Sequence, residues 1–412
     1  MIAYYFPPIG GSGALRPLKL AKYLPGYGWS PFILTVRNPD WYYAFDPKLL
    51  TDLQRQAKIF RSFMLRSSWI YRIFNPLRIR KLDATIRRFF IQPDDQVGWV
   101  PFAIKLAYRI TKQFKVDAIY STSSPLSCHL IADSLHRKTK IPWIADFRDE
   151  WYENPDFNFP TSWHRRLHYR LEGRIVHNAN HVITAAPVFA EFLKKHDKIS
   201  NKLSTVLMGF DPMEFPRSRP VIQKRNDNNK FTLTFSGLFY KSFRPRGLLA
   251  AISNLIAEGE VESDTVRIQF VGANDLSDIG FEDRYGICEF TGFVPRGEAL
   301  KYLSQADALL LLLSKERGER VIPSKTFEYL ACGTPILALI PPTGDIAGII
   351  NETGGGLVVD HEDVEGIRSA FLLLYKSWKQ GAKLFQPDWE KIDNFNQKNF
   401  TRKFANLLDE MS

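Results

Sequence analysis

A lysine and a glutamate, Lys325 and Glu328, head the run Pro323-Ser324-Lys325-Thr326-Phe327-Glu328-Tyr329-Leu330-Ala331-Cys332-Gly333-Thr334-Pro335. Their spacing places both charges on one face of a helix. Three signals predict that helix. Ser324 is a capping type of residue and Pro323 cannot continue a preceding element. Phe327, Leu330 and Ala331 recur at helical spacing. Gly333 ends the helix and Pro335 prevents its return. Ile336 to Leu339 is then wholly apolar, as a strand covered on both faces is. Free N–H groups and the dipole at such a helix start favour phosphate, Lys325 adds charge, and Glu328 can accept from ribose hydroxyls. The plain alternative is an amphipathic helix with a surface ion pair.

A second phosphate-type signal lies near the N-terminus. Ile2 to Phe6 reads as a short strand, followed by the loop Pro7-Pro8-Ile9-Gly10-Gly11-Ser12-Gly13 and a helix carrying Ala14, Leu15, Leu18, Ala21 and Leu24. Gly10, Gly11 and Gly13 would let backbone approach a phosphate or sugar, with the helix N–H groups behind them. A dinucleotide fingerprint needs a third glycine where Arg16 stands. The next strand, Pro31 to Val36, ends without an acid, so the ribose carboxylate of an NAD site is missing; Arg37 keeps an NADP-dependent oxidoreductase open as a minor alternative.

Charges just past the C-terminal ends of buried strands mark the ligand edge of a parallel sheet. Ile141 to Ala145 runs into Asp146-Phe147-Arg148-Asp149-Glu150-Trp151, which nominates Arg148 and Asp149. An interdomain salt-bridge cluster would use the same residues. Phe231 to Phe235 is followed by Ser236-Gly237 and then Lys241, Arg244 and Arg246. Cys288 to Thr291 leads into Gly292-Phe293-Val294-Pro295.

Positioning these groups takes strands alternating with helices in both halves, hence an α/β protein with two doubly wound parallel sheets. The first domain is expected over residues 1–215, a linker rich in Pro, Asn and basic residues over 216–230, and the second domain over 231–395. Residues 396–412 form a last helix with Phe400, Phe404, Leu407 and Leu408 in phase. The short first strand would fit residues missing upstream.

The 412 residues suit two domains. No apolar run approaches a membrane span, and no signal peptide is visible. Cys128, Cys288 and Cys332 show no metal spacing and read as reduced thiols, which points to a cytoplasmic protein. Much of the net charge of +11 is local: ten Lys/Arg against one acid, Asp83, lie between Arg55 and Arg88. Two apolar stripes with Trp69 and Tyr71 thread this insertion of residues 55–90. Basic amphipathic helices with aromatics bind anionic membranes, which would place the protein peripherally on the inner face of the cell membrane. Helices packed on their own domain with a solvated basic face are the equal alternative. No recognition motif for nucleic acid accompanies the charge.

The helix–turn run around Glu328 resembles the donor-site helix of GT-B glycosyltransferases, especially the retaining family four (group 1). There a Glu binds the ribose of a nucleotide-sugar just before an Ala-x-Gly-x-Pro turn; Ala331, Gly333 and Pro335 match. The Gly10-Gly11 loop and Arg16 resemble that family's Gly-Gly loop, Asp146-Phe147-Arg148-Asp149 a stretch that some members carry, and Met208-Gly209-Phe210-Asp211 the segment leaving the first domain. The resemblance implies two Rossmann-like domains facing a cleft, with the last helix crossing back to the first. It implies a nucleotide-sugar donor on the second domain and a glycan acceptor on the first, and Phe293 and Val294 beside the base. With no Asp-x-Asp motif, neither metal nor other cofactor is expected. Lys241, Arg246 and Lys325 would then stabilise the diphosphate leaving group. The basic segment suggests a lipid-linked glycan as acceptor, in polysaccharide assembly. One position departs: Arg320 stands where a Glu commonly contacts the donor sugar, with Glu319 beside it. That leaves a sugar-nucleotide epimerase of the same fold and a non-catalytic nucleotide-sugar binder as alternatives.

Overall fold

The structure, a computed structural model, describes residues 1–39, 45–53, 57–66, 87–154, 157–196, 199–215, 229–237, 239, 245–273, 282–313 and 319–411. The chain divides into two compact units, Met1–Leu207 with Phe400–Ser412, and Met208–Asn399. Of the expected linker, only Asn229 and Lys230 are described. Most of the basic insertion, residues 67–86, lies outside the described residues.

Unit one is built on parallel strands β1 (Phe32–Val36), β2 (Lys58–Ser62), β3 (Ile119–Ser123), β4 (Trp143–Phe147), β5 (His181–Thr184) and β6 (Leu203–Thr205). The N-terminal segment joins them, because Ile2 bridges in parallel to Leu34 on one side and Ser121 on the other. The order is therefore β2-β1-Ile2-β3-β4-β5-β6. The expected strand Ile2 to Phe6 is thus reduced to its first pairing at Ile2, with the Ala3 amide donating to Leu34 O over 3.1 Å. Strands β3 and β4 are buried at every position, the signature of a sheet covered on both faces. Helices α1 (Ser12–Tyr23), α2 (Val100–Gln113), α3 (Ser127–Thr139), α4 (Ser162–Asn178) and α5 (Pro187–Leu193) connect them.

Unit two holds β7 (Phe231–Ser236), β8 (Val266–Val271), β9 (Cys288–Gly292), β10 (Ala308–Leu312), β11 (Ile336–Leu339) and β12 (Gly356–Val359), all parallel in the order β12-β11-β10-β7-β8-β9. This is a doubly wound sheet whose strand order reverses between β7 and β10, where open α/β sheets bind ligands. The helices are α6 (Arg246–Ala257), α7 (Arg296–Gln305), α8 (Ser324–Cys332), α9 (Asp345–Glu352), α10 (Val364–Gln380) and α11 (Trp389–Asp393).

The chain leaves and re-enters unit two side by side: Phe210 bridges Asn396, and the Gln397 amide donates to Phe210 O over 2.8 Å. Helix α12 (Gln397–Asp409) then carries Phe400, Phe404 and Leu408 into the first unit's core, against Leu20, Leu24, Tyr120 and Ile144. The terminal helix returns to the first domain, as its apolar stripe requires.

Candidate functional site

Helix α8 forms as its sequence dictates. Pro323 is extended, the helix runs from Ser324, and Gly333 closes it in the left-handed region at φ 68°. Phe327, Tyr329 and Leu330 are buried. The Tyr329 hydroxyl accepts from the Ser236 amide over 2.9 Å, fixing α8 against the C-terminal end of β7. From the first turn, the Lys325 ammonium donates to Ser236 O over 2.9 Å and sits 4.4 Å from the centre of the Phe235 ring. Burial pushes Lys325 down to about 8, partly opposed by the Glu328 charge. Gly237 completes this corner: its φ is +136°, and a Cβ there would lie 2.9 Å from Lys325 Nζ. A cation is thus held at the switch point between β7 and β10, in an enclosure only glycine permits.

Glu328 is 8% exposed and accepts from Arg296 Nη2 over 2.8 Å. The same guanidinium grips Glu214 bidentately, at 2.7 and 2.6 Å. Its affinity for the proton is lowered by burial and raised more strongly by Glu328 and Glu214, with a net upward shift. Arg296 opens α7 directly after the loop carrying Phe293 and Val294. Phe293 is 58% exposed and Val294 half-buried, beyond Gly292 at φ 64°. Arg246 is exposed at the first position of α6. Lys241 and Arg244 lie outside the described residues. Glu319 is exposed and Arg320 half-buried in a turn ahead of α8.

In unit one the glycine loop is a helix start. Gly11, at φ 87°, is the N-cap of α1, Gly10 is buried, and a Cβ on Gly13 would meet the Tyr5 ring at 3.3 Å. Arg148 ties this loop to the end of β3: Nη1 donates to Gly13 O over 2.6 Å, Nη2 to Ser124 O over 2.9 Å, and Nε to Ser123 O. Asp149 is exposed and accepts from Ser124 Oγ over 3.1 Å. The structure therefore brings Arg148, Asp149 and Gly13 together at the switch point between the N-terminal segment and β3. Arg16 lies elsewhere. It is 1% exposed, points into the domain and donates twice to Asp146, each over 2.7 Å, and once to Val206 O. Its guanidinium also stacks 4.6 Å above the Phe400 ring. These contacts make it a fixed charge beneath α1 rather than a side chain of the loop surface.

Arg296 and Glu214 escaped the sequence reading. A cation in the first turn of a helix opposes the helix dipole, and that was the readable signal at Arg296. Glu214 carried none. Among the described residues no group of three or more His, Cys, Asp or Glu could hold a metal ion, and no helix is long and apolar enough to cross a membrane.

The comparisons with known proteins fall on both units. A family profile described as Glycosyl transferase 4-like domain matches residues 14–202, and one described as Glycosyl transferases group 1 matches residues 230–377. The chain belongs to the group 1 glycosyltransferases. No curated protein matches its sequence. Among solved structures, sucrose-phosphate synthase from Thermosynechococcus elongatus aligns with a TM-score of 0.69 at 16% identity, covering 100% of this chain and 98% of that one. HepE from Anabaena, in complex with UDP and glucose, aligns with a TM-score of 0.66 at 12% identity over 99% of both chains. The lipopolysaccharide outer core galactosyltransferase WaaB aligns with a TM-score of 0.60 at 12% identity, covering 100% of this chain and 99% of that one. At these identities the likeness is one of fold, the GT-B arrangement of two Rossmann-like domains.

Proposed function

We propose that this glycosyltransferase moves a sugar from a nucleotide-sugar to a lipid-linked glycan, with retention of anomeric configuration and without a metal ion. The observation that carries the donor half is the pairing of Lys325 and Glu328 at the start of α8. Glu328 is buried and Lys325 half-buried, and each is held by a polar partner at the point where an α/β sheet takes its ligand. Glu328 accepts from the ribose hydroxyls, Phe293 and Val294 flank the base, and Lys325 meets the diphosphate. As the bond to the sugar breaks, negative charge grows on the leaving phosphate, and fixed cations in a closed site stabilise it without reorganising. Lys325 and Arg246 have that task, with Lys241 the further candidate from the sequence. In the retaining reaction the acceptor hydroxyl attacks from the face the diphosphate leaves, and the leaving phosphate takes its proton. Arg148 keeps the Gly10–Gly13 loop and the Ser123-Ser124 turn in one arrangement, and the exposed Asp149 beside them is the carboxylate we assign to the acceptor.

The membrane half of the proposal gains support at the end of the basic insertion and beyond it. Phe90 and Trp163 are 64% and 61% exposed, and with Phe89, Gln92, Thr161 and His164 they line a hollow of about 480 Å³. Helix α4 exposes Arg165, Arg166 and Arg170, while its one acid, Glu172, is buried. Aromatic and basic side chains together suit an anionic bilayer surface.

The test is incubation with a panel of nucleotide-sugars, first for thermal stabilisation, then for donor consumption with and without lipid-linked acceptor. Consumption only with acceptor is the expected result, and NMR of the product fixes the anomeric configuration. Release of a new nucleotide-sugar would mark an epimerase, and stabilisation without any turnover a binder, the outcome that Arg320 makes worth testing. Glu328→Gln should weaken nucleotide binding by about 1–3 kcal/mol, the range for a charged hydrogen bond. Unchanged affinity for the nucleoside diphosphate in calorimetry would remove Glu328 from the ribose.

A further inference from the structure

We propose that Arg296 is a positioning residue that holds the carboxylate of Glu328 in register with the loop Gly292-Phe293-Val294-Pro295, so that base and ribose are read as one unit. This rests on the reading of Glu328 as the ribose ligand. Three side chains from separated stretches of unit two meet here: Glu214 from the segment after Phe210, Arg296 from the first turn of α7, and Glu328 from α8. Their side chains are 20%, 17% and 10% exposed, so the ion pairs are shielded from water far more than surface pairs are. The guanidinium presents its N–H groups in a rigid fork. Nε and Nη2 are fixed by Glu214, and Nη2 is thereby aimed at Glu328 Oε1. Glu214 sets the angle of the guanidinium and the guanidinium sets that of Glu328. Because Arg296 follows Val294 by two residues, any displacement of the base loop is passed to the carboxylate.

The chemistry of the three residues makes the inference specific. A lysine at this position is a point charge and cannot take both carboxylates in fixed geometry. Placing any cation in the first turn of α7 works against the helix dipole, so the two carboxylates have to offset that cost. The arrangement is therefore poorly explained as a helix-stabilising pair and well explained as an alignment device.

The test is discrimination between a ribonucleotide and its 2′-deoxy counterpart. UDP, GDP and ADP are titrated calorimetrically, and the tightest is compared with its 2′-deoxy form. Wild type should prefer the ribonucleotide by about tenfold or more, as expected for a hydrogen bond to a charged group. Glu328→Gln should bring the ratio close to one. Arg296→Lys should do the same while leaving the thermal midpoint within a few degrees. The pair Glu214→Gln with Arg296→Gln removes one charge of each sign and serves where the single variant fails to fold. A folded Arg296 variant that loses affinity for both nucleotides equally, with the ratio intact, overturns the positioning role and leaves a structural one. A wild-type ratio near one, or a ratio that survives in Glu328→Gln, instead overturns the ribose reading itself, and the proposal with it.

Discussion

The ammonium of Lys325 donates to the carbonyl of Ser236 over 2.9 Å, joining the first turn of α8 to the end of β7. Burial lowers its affinity for the proton to about 8. An anionic diphosphate favours the charged form, so binding takes up a proton wherever Lys325 is partly neutral. Affinity for the nucleoside diphosphate is then full below pH 8 and declines as pH rises through that value, by as much as about tenfold between pH 7 and 9. Lys325→Met should bind more weakly and lose the pH slope. Removing one such cation should lower turnover by about a hundredfold, and Arg246→Ala should do likewise if Arg246 shares the task. Calorimetry across pH and initial-rate assays check both.

Gly237 tests whether the enclosure around Lys325 matters. At φ +136°, an alanine is strained there whatever the space, and its Cβ would crowd Nζ. Gly259, at φ +77°, has nothing within 4 Å of the same imaginary atom. Both Gly→Ala variants should lose about 1 kcal/mol or more of stability from backbone strain. Only Gly237→Ala should also weaken nucleotide binding. Equal nucleotide affinities in the two variants would show that the corner does not hold the ligand.

Arg16 and Asp146 make a prediction about the first domain's stability. Each is buried to about 1% exposure or less, and the Tyr120 hydroxyl donates to the same carboxylate. Asp146→Leu leaves a guanidinium buried without its partner, which typically costs about 3–5 kcal/mol. Replacing both, Arg16→Met with Asp146→Leu, should cost clearly less than the two single changes summed. Urea denaturation of the three variants measures this. Additive losses would mean that the two charges do not depend on each other.

Much of this was legible in the sequence for definite reasons. Runs such as Leu309 to Leu312 and Ile336 to Leu339 are covered on both faces, so their apolar composition alone identifies inner parallel strands. Helix α8 carries its own start and stop in Pro323 and Gly333. The rest depended on distance. Arg16 stands three residues after Gly13, and its type suggests a loop cation. Only the fold reveals Asp146, 130 positions away, as its partner. Glu214 and Arg296 lie 82 residues apart and belong to no local pattern. The N-terminal strand pairs only at Ile2, and the apolar run to Phe6 carries no local sign of that early stop.

The proposed membrane-facing surface can be tested on Phe90, at the end of the basic insertion, and on residues beyond it. Trp163 and Phe90 stand exposed beside the arginines of α4. Each basic residue near an anionic bilayer contributes about 1 kcal/mol, screened over about 8 Å at physiological salt. Sedimentation with anionic vesicles should therefore be strong at low salt and fall as salt rises. Apolar burial of the aromatics would leave a portion that salt does not release. Phe90→Ala with Trp163→Ala should remove that residual portion and keep the salt-sensitive part. Arg165→Gln with Arg166→Gln should do the reverse, lowering the low-salt binding and sparing the residue that survives at high salt. The two pairs separate an inserted aromatic edge from a purely electrostatic one. Negligible pelleting of wild type on neutral and anionic vesicles alike would rule out the docking role, and the exposed arginines would then be a solvated face or a site for acceptor phosphates.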